Sequence, residues 1–339
     1  MEGIGPVPSD SALVNPDERN TVSLTSEGSL VLRNDTLAIR DSDLDEMLRH
    51  GSRYCINFDW LIERDEAKVL KGAYANIYQG ILHPEGRKVA VRIVHQWRRD
   101  HGDKLVLREV QLWCQLRHRN ILPLLGITTA FADTVAMVSP WMDQNAHGYV
   151  QDRTIDPRPL IQGIANGLCY LHNHQPPVFH GDVKGTNVLI SPEDQPLLTG
   201  FGLSRLADPV FDTPSEPRGG TLLWMAPENM GTGGVSREGD VWAFGMTALE
   251  LFTAKLPFHD IHPHRLVRRI MKGPPNRPKR KDTYSRLIDE WWQICSLCWK
   301  RDPLSRPNMS ELVDAIVTAR DETSSRHTAW KRYLPTRAV

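Results

Sequence analysis

Residues 180–187 read His-Gly-Asp-Val-Lys-Gly-Thr-Asn, and a short apolar run at 188–191 follows them directly. A Pro-Glu-Asp turn separates this run from a second one at 196–199. Two such runs joined by a tight turn predict an antiparallel hairpin, in which Asn187 before the first strand lies beside Gly200 after the second. The sequence therefore predicts a loop with an acid, a base and an amide at one end of a hairpin.

This loop resembles the catalytic loop of protein kinases. Phosphoryl transfer needs little covalent help, so that family uses an acid to position the substrate hydroxyl, a cation beside the moving phosphate and an oxygen ligand for magnesium. The resemblance assigns these roles to Asp182, Lys184 and Asn187. Each residue alone is also compatible with an ordinary polar loop, and the matches around them favour the family.

Three further matches follow in the order of the family's large lobe. They are Ala226-Pro227-Glu228, residues 240–245 (Asp-Val-Trp-Ala-Phe-Gly) and Arg306 within 298–307. By resemblance, Glu228 and Arg306 form a buried ion pair, and Asp240 accepts hydrogen bonds from the backbone of the catalytic loop. Because removing one partner of a buried pair is costly, we expect these residues to stabilise the fold.

The upstream part of the chain resembles the family's small lobe and its hinge. Residues 107–110 (Leu-Arg-Glu-Val) match the small-lobe helix, which makes Glu109 the expected salt-bridge acceptor. Residues 138–142 match the hinge, so the backbone of Met142 is expected to face the adenine of ATP. The side chains expected to contact the adenine are Ile77, Ala90 and Leu189.

The magnesium-binding Asp-Phe-Gly of the family appears here as Gly200-Phe201-Gly202. Magnesium is held in such sites through one or two carboxylates and the phosphates, and this replacement leaves only the neutral amide of Asn187 as a protein ligand. Asp194 belongs to the hairpin turn, and Asp208 lies several residues beyond the motif. The resemblance therefore implies impaired magnesium binding.

Arg92 stands where the family has a lysine that contacts both the phosphates and the helix glutamate. A planar guanidinium can satisfy Glu109 with two hydrogen bonds while it intrudes on the space of the phosphates. We therefore expect a structural salt bridge, with Lys71 as the minor alternative for contacting the phosphates.

Two glycine positions also depart from the family pattern. Of the three glycines in the phosphate-binding loop, residues 70–77 keep only Gly72, which predicts a poor phosphate cradle. Gly181 replaces the arginine that commonly precedes the catalytic aspartate and pairs with a phosphorylated activation segment. Regulation by that pairing is not expected in this chain.

The bulk composition limits the compartment and the partners. The 339 residues carry 41 basic and 41 acidic side chains, which indicates no polyanionic partner, and the five cysteines without a signal segment favour a reducing interior. The chain has no apolar run of membrane-spanning length, so we expect a soluble protein with no membrane contact.

The basic cluster at 265–281 has no interleaved aromatics, which argues against nucleic acid as its partner. It predicts a solvated face by default, or a dock for an acidic segment such as residues 41–46.

The expected fold class is α+β, a bilobal protein-kinase fold with an antiparallel-sheet lobe and a mainly helical lobe. Residues 1–59 are expected to form a mostly disordered polar and acidic arm, 60–142 the N-lobe, 143–320 the C-lobe and 321–339 a basic tail. Hydrophobic periodicity predicts strands at 68–70, 76–81, 88–94, 121–127 and 134–138, and helices at 105–116, 159–172, 241–252, 287–299 and 309–320.

Two functions from different classes fit this pattern. The first, which we favour, is a pseudokinase that serves as a scaffold or allosteric partner of other signalling proteins, with a pocket that can take ATP but handles magnesium poorly. The second is an atypical active kinase that transfers the γ-phosphate of ATP to protein serine or threonine, as the resemblance to the tyrosine-kinase-like group implies. Gly200 and Arg92 favour the first, whereas Asp182, Lys184 and Asn187 favour the second. Either protein is expected in the cytoplasm, with the nucleus left open.

Overall fold

The computed structural model describes residues 22–24, 30–32, 55–72, 75–95, 99–131, 134–206, 221–230 and 234–332. The chain divides into two compact units, Met1–Asp43 and Leu44–Val339. In the first unit, strands β1 (Val22–Leu24) and β2 (Leu30–Leu32) pair antiparallel within the range expected to be disordered. Residues 55–59 are ordered as well, because β3 (Ile56–Asn57) pairs with the sheet of the second unit and Asp59 bonds Thr128 and Thr129. Disorder in the rest of 1–54 stays a prediction, and the acidic segment 41–46 lies outside the described residues.

The second unit opens with a six-stranded sheet in the order β3-β7-β8-β6-β5-β4. Its strands are β3 (Ile56–Asn57), β4 (Ile62–Lys71), β5 (Ala75–Leu82), β6 (Arg87–Val94), β7 (Gly126–Thr128) and β8 (Ala136–Pro140). Neighbours pair antiparallel except β3 and β7, which are parallel. Of the strand predicted at 121–127, only its end is regular, because Pro123 has no backbone N–H to donate to a ladder.

The sheet begins ahead of the domain boundary that the sequence predicted at residue 60. The carboxylate of Asp59 holds the segment after β3 in place. It accepts hydrogen bonds from the Thr129 amide at 2.6 Å and from the Thr128 and Thr129 hydroxyls at 2.8 and 2.9 Å. These bonds tie the loop after β3 to the loop after β7.

Helices form most of the remainder. They are α1 (Arg99–Trp113), α2 (Ala146–Tyr149), α3 (Arg158–His172), α4 (Arg237–Thr253), α5 (Pro263–Met271), α6 (Asp289–Cys298) and α7 (Met309–Arg332). The five predicted helices are all present. Helix α5 was not predicted, because its many arginines obscure the spacing of Leu266 and Ile270. Helix α7 continues to Arg332, into the range assigned to a basic tail.

Helix α4 runs through the centre of the larger lobe. Its aromatic side chains Trp242, Phe244 and Phe252 are each at most 1% exposed, so both sides of the helix are covered by protein. Burial of large aromatic side chains on all sides is typical of a core helix rather than a surface helix. The catalytic-loop region is built on this fixed element.

Five short strands complete the larger lobe: β9 (Gln144–Asn145), β10 (Val178–Phe179), β11 (Val188–Ile190), β12 (Pro196–Leu198) and β13 (Arg205–Leu206). The predicted hairpin is β11 and β12, with Val188 opposite Leu198. It is linked to the smaller lobe, because Asn120 donates to the Pro196 carbonyl at 3.0 Å and Leu122 donates to the Leu198 carbonyl at 2.9 Å.

A small sheet lobe and a larger helical lobe confirm the predicted α+β, bilobal architecture. Within the described parts of the chain, none of the helices combines the length and the apolar character that crossing a membrane requires.

Candidate active site

The structure brings the three predicted catalytic-loop residues together. Lys184 donates from Nζ to both carboxylate oxygens of Asp182, at 2.9 and 2.8 Å. Asn187 donates from Nδ2 to the Asp182 carboxylate at 2.7 Å and to its backbone carbonyl at 2.8 Å. The acid is therefore held in place by a cation and an amide. The catalytic roles of the three residues stay predictions.

Asp240, from the first turn of α4, organises the residues before this loop. Its two carboxylate oxygens accept the backbone N–H of His180 at 2.7 Å and that of Gly181 at 2.8 Å. The ring of His172 lies 3.0 Å from the same carboxylate, which is 1% exposed. The predicted hydrogen bonds to Asp240 are thus formed.

The predicted ion pair between Glu228 and Arg306 is also formed. The two guanidinium nitrogens of Arg306 meet the two oxygens of Glu228, with Nη2 to Oε2 at 2.9 Å. The Arg306 side chain is fully buried, and it donates further bonds to the carbonyls of Glu238 at 2.9 Å and Lys300 at 3.0 Å. The Glu228 side chain is 30% exposed, so the predicted burial holds for the arginine and only in part for the glutamate. Bidentate geometry with further bonds to backbone carbonyls makes this a strong ion pair.

Gly200 follows β12 and adopts the left-handed conformation, with φ of 88° and ψ of 42°. A Cβ atom built on it would lie 3.0 Å from both Cγ and Nδ2 of Asn187. The hairpin therefore places position 200 beside Asn187, as the sequence predicted. A side chain at this position would point at the amide, and glycine supplies none.

The oxygen donors around position 200 do not fit a magnesium ion. The Asp182 carboxylate is already bonded to Lys184 and Asn187, and the other oxygen nearby belongs to the neutral Asn187 amide. In the described portion of the chain, no three His, Cys, Asp or Glu side chains cluster in a way that could hold a metal. Magnesium prefers several hard oxygen ligands in octahedral geometry, and these residues do not provide them.

The predicted salt bridge between Arg92 and Glu109 is formed, with one correction. It is a single hydrogen bond from Nη1 to Oε1 at 2.7 Å, so the expected two-bond arrangement is not found between these two side chains. Arg92 also donates from Nη1 to the sulfur of Met137 at 3.7 Å, which turns the guanidinium toward β8. The alternative cation, Lys71, lies exposed at the end of β4.

A cluster of three tilted aromatic rings connects the two lobes beside this salt bridge. The ring of Phe201 is 5.4 Å from that of His180 and 5.7 Å from that of Trp113, the last residue of α1. Trp113 is anchored by a 2.6 Å bond from its indole N–H to the Leu122 carbonyl. The rings of His180, Phe201 and Trp113 thus form one contact between the two lobes.

The predicted adenine contacts come from both lobes. The strand register sets Ile77 opposite Arg92 and Ala90 opposite Ser139, so these four side chains share one face of the sheet. Leu189 lies in β11 of the other lobe, and Met142 follows β8. The sequence interpretation missed Gln79, which lies on the same face opposite Ala90, is 1% exposed and has a side-chain N–H without a partner in the described structure.

Gly72 forms a tight turn at the start of the degraded phosphate-binding loop. Its N–H donates to the Ala75 carbonyl at 3.0 Å, and a Cβ on Gly72 would lie 2.9 Å from that oxygen. This bond closes the turn between β4 and β5. Residues 73–74 of the loop lie outside the described residues.

The space beside Gly181 is filled by the protein itself. Gly181 has a φ of 74°, and a Cβ on it would lie 2.8 and 2.9 Å from the two methyl carbons of Val235. The sequence showed that the usual arginine is lost, but it could not show that Val235 replaces its side chain. A long-range packing contact of this kind leaves no local signal in the sequence.

Sequence interpretation also missed a buried acid, Glu250 of α4. Its carboxylate accepts the Gly185 backbone N–H at 3.0 Å and the Trp224 indole N–H at 2.8 Å, and it lies 2.7 Å from Nδ1 of His147. The hydrogen bond with Glu250 raises the pKa of His147, although partial burial acts in the opposite direction. The available signal was a charged residue inside the otherwise uncharged stretch 241–252 of this helix.

Comparisons with known proteins agree with the resemblance to protein kinases. The family model described as protein tyrosine and serine/threonine kinase matches residues 64–316. LRR receptor kinase SERK2 of Oryza sativa subsp. japonica is 32% identical over 267 residues, which covers 72% of this chain and 44% of that protein. Serine/threonine-protein kinase CTR1 of Arabidopsis thaliana is 27% identical over 271 residues, covering 77% of this chain and 32% of that protein. This chain thus spans less than half the length of either relative.

Proposed function

This chain belongs to the protein tyrosine and serine/threonine kinase family, and from that premise we propose that it is a pseudokinase. It keeps the kinase fold, handles ATP and magnesium poorly, and acts on other proteins as a scaffold or allosteric partner in signalling.

One observation carries the proposal: the position beside Asn187 is occupied by Gly200. Members of this family use ATP with magnesium, and an aspartate at this place supplies the main protein ligand of the metal. Here the hairpin geometry is kept while the carboxylate is absent, and Asn187 directs its N–H at Asp182. A neutral amide and an already paired acid give a divalent cation little to bind.

The Arg92–Glu109 pair supports the proposal from the other side of the pocket. A guanidinium that is bonded to a nearly buried glutamate stabilises the small lobe, but its bulk lies where the family places a lysine ammonium. The face that carries Ile77 and Ala90 can still cover an adenine. We therefore expect a pocket that recognises the base of ATP better than its phosphates.

A second candidate is an atypical active kinase that phosphorylates serine or threonine on proteins. The observation that favours it is the intact cluster of Asp182, Lys184 and Asn187, in which the acid is held by two donors. The relatives named as serine/threonine kinases support the same substrate class. The carboxylate missing at position 200 makes this the weaker candidate.

The compartment and the partners belong to the proposal too. The five cysteines are free thiols, which favours the reducing environment of the cytoplasm or nucleus. Protein partners are what a kinase-like scaffold requires, and ATP is the small molecule expected in the pocket.

The test is the thermal stability of the purified chain with ATP, in the presence and absence of magnesium, together with transfer of labelled γ-phosphate to a generic protein substrate. A ligand that binds only the folded state raises its apparent stability, so any shift reports binding. We expect no magnesium-dependent shift and no transfer. A magnesium-dependent shift that Asn187→Ala abolishes, together with transfer that Asp182→Ala abolishes, would establish the active kinase instead.

A further inference from the structure

A cavity of about 490 Å³ opens at the hinge between the two lobes. Its upper wall is the start of β6 with Arg87 and Lys88, and its lower wall is the turn between β11 and β12 with Pro192. Trp141 of the hinge and Arg119 of the loop after α1 also line the cavity. Of the residues assigned to the adenine pocket, Met142 also lines this hinge cavity.

Positive charge is in excess around the hinge cavity. Arg87, Lys88 and Arg119 are all exposed, and none of them has an acidic partner in the described part of the chain. The one acid in the lining, Glu193, accepts a hydrogen bond from the Ser191 hydroxyl at 2.8 Å. Three unpaired cations around one concave surface create a local field that attracts an anion.

The same cavity contains a fixed aromatic ring. The backbone N–H of Trp141 donates to the Lys88 carbonyl at 3.2 Å, and its indole N–H donates to the Asp143 carboxylate at 2.9 Å. The Trp141 side chain remains partly exposed and lines the cavity, as Pro192 does. A partly exposed tryptophan held by two hydrogen bonds offers a flat apolar contact at little entropic cost.

We propose that the hinge cavity binds an acidic segment of a partner protein. Carboxylates of the segment pair with Arg87, Lys88 and Arg119, and an aromatic or apolar side chain between them packs on Trp141. Charge complementarity favours acidic partners and raises the association rate, while the apolar contact with Trp141 lowers the dissociation rate. Because the cavity has walls from both lobes, a bound segment also favours one distance between them.

The proposal does not depend on how the chain handles ATP. It is tested without nucleotide, by fluorescence anisotropy of a fluorescein-labelled synthetic peptide with aspartates and glutamates around one central phenylalanine. The variant combines Arg87→Glu with Arg119→Glu, and we expect it to weaken binding about tenfold, because two attractive charge pairs are replaced by repulsion. Trp141→Ala is expected to weaken binding while leaving its salt dependence unchanged.

The matched control combines Lys68→Glu with Arg301→Glu, which changes the net charge equally at exposed positions outside both the cavity and the basic cluster at 265–281. It should bind like the unmodified chain, and a lysine analogue of the peptide should not bind. The proposal is overturned if the unmodified chain does not bind the acidic peptide, if the cavity variant binds normally, or if the control loses as much affinity. If the charge-reversed variant does not fold, Arg87→Gln combined with Arg119→Gln is judged by the same criteria.

Discussion

Arg92 bonds Glu109 across the smaller lobe, with Nη1 2.7 Å from Oε1. The acceptor side chain is 5% exposed and the donor 24%, so the pair is largely removed from water. A Cβ on Gly202 would lie 3.0 Å from the other oxygen of Glu109 and 3.4 Å from Nη2 of Arg92. The bond thus joins β6 to α1, and the backbone of Gly202 lies close beside it.

The first prediction concerns the stability that this pair supplies. Arg92→Met should lower the free energy of unfolding by about 2–3 kcal/mol, because it leaves the Glu109 carboxylate buried without its partner. Urea denaturation measures the change. The double variant Arg92→Met with Glu109→Leu should lose less than the two single variants combined. Strict additivity would show that the two side chains do not interact.

A second prediction follows from the geometry at position 200. Gly200→Asp places a carboxylate beside Asn187, and its Cβ fits if the amide moves by a few tenths of an ångström. Left-handed backbone costs an L-residue about 1–2 kcal/mol, less for aspartate, so a modest loss of stability is expected. In return, ATP should raise the melting temperature more with magnesium than without it, as seen in a thermal shift assay.

Gly200→Asn is the matched control for this variant. Asparagine has the same size and the same tolerance of left-handed backbone, but it carries no charge for a divalent cation. This variant should lose a similar amount of stability, and its rise in melting temperature with ATP should not depend on magnesium. If both variants gained that dependence, or neither did, a missing carboxylate would not be the cause of poor metal handling.

Local order in the sequence made much of the candidate site predictable. Asp182, Lys184 and Asn187 lie within one loop, and the hairpin after them brings Gly200 back to Asn187, so spacing alone fixes their proximity. The partners Glu228 and Arg306 are far apart in sequence, and only the family resemblance could pair them. The strands and helices with clear periodicity were likewise predicted, although their ends were not.

Features that depend on distant contacts were not predictable. Helix α5 and strand β3 have no clear periodicity of their own, and both are held by the rest of the fold. Val235 fills the space beside Gly181, and Glu250 bonds groups from three separate segments. Side chains from distant segments fit together and reach hydrogen-bonding distance only in the folded chain. A local pattern of residue types therefore cannot predict these contacts.

The third prediction tests the filled space beside Gly181. Gly181→Ala should lower the free energy of unfolding by about 2–3 kcal/mol, because left-handed backbone strains an L-residue and its methyl group would lie within 3 Å of the Val235 methyls. Thermal or urea unfolding measures the loss. In a Val235→Ala background the added cost of Gly181→Ala should be smaller, because only the backbone strain of about 1–2 kcal/mol and the close approach to the Leu203 carbonyl would remain. An equal cost in both backgrounds would exclude the steric contact.

The fourth prediction is a pH dependence that originates at His147. Its pKa is raised above 6.5 by the hydrogen bond with Glu250. A histidine whose folded pKa exceeds its unfolded pKa binds its proton more tightly when folded, so its contribution is complete below about pH 6.5 and is lost as the pH rises through the folded value. We therefore expect His147→Gln to reduce stability most at about pH 6 and least above pH 8, as urea denaturation across that range would measure.

Comparing the unmodified chain with the His147→Gln variant at each pH separates the contribution of His147 from those of the other histidines. Burial lowers the pKa of His180, so that residue removes stability as the pH falls, which is the opposite sign. The buried His180 is present in both proteins, and its contribution cancels in the difference between them. A difference that stays constant from pH 6 to pH 8 would show that His147 is not protonated by its contact with Glu250. A difference that grows with pH would reverse the sign and assign the bond to the neutral ring.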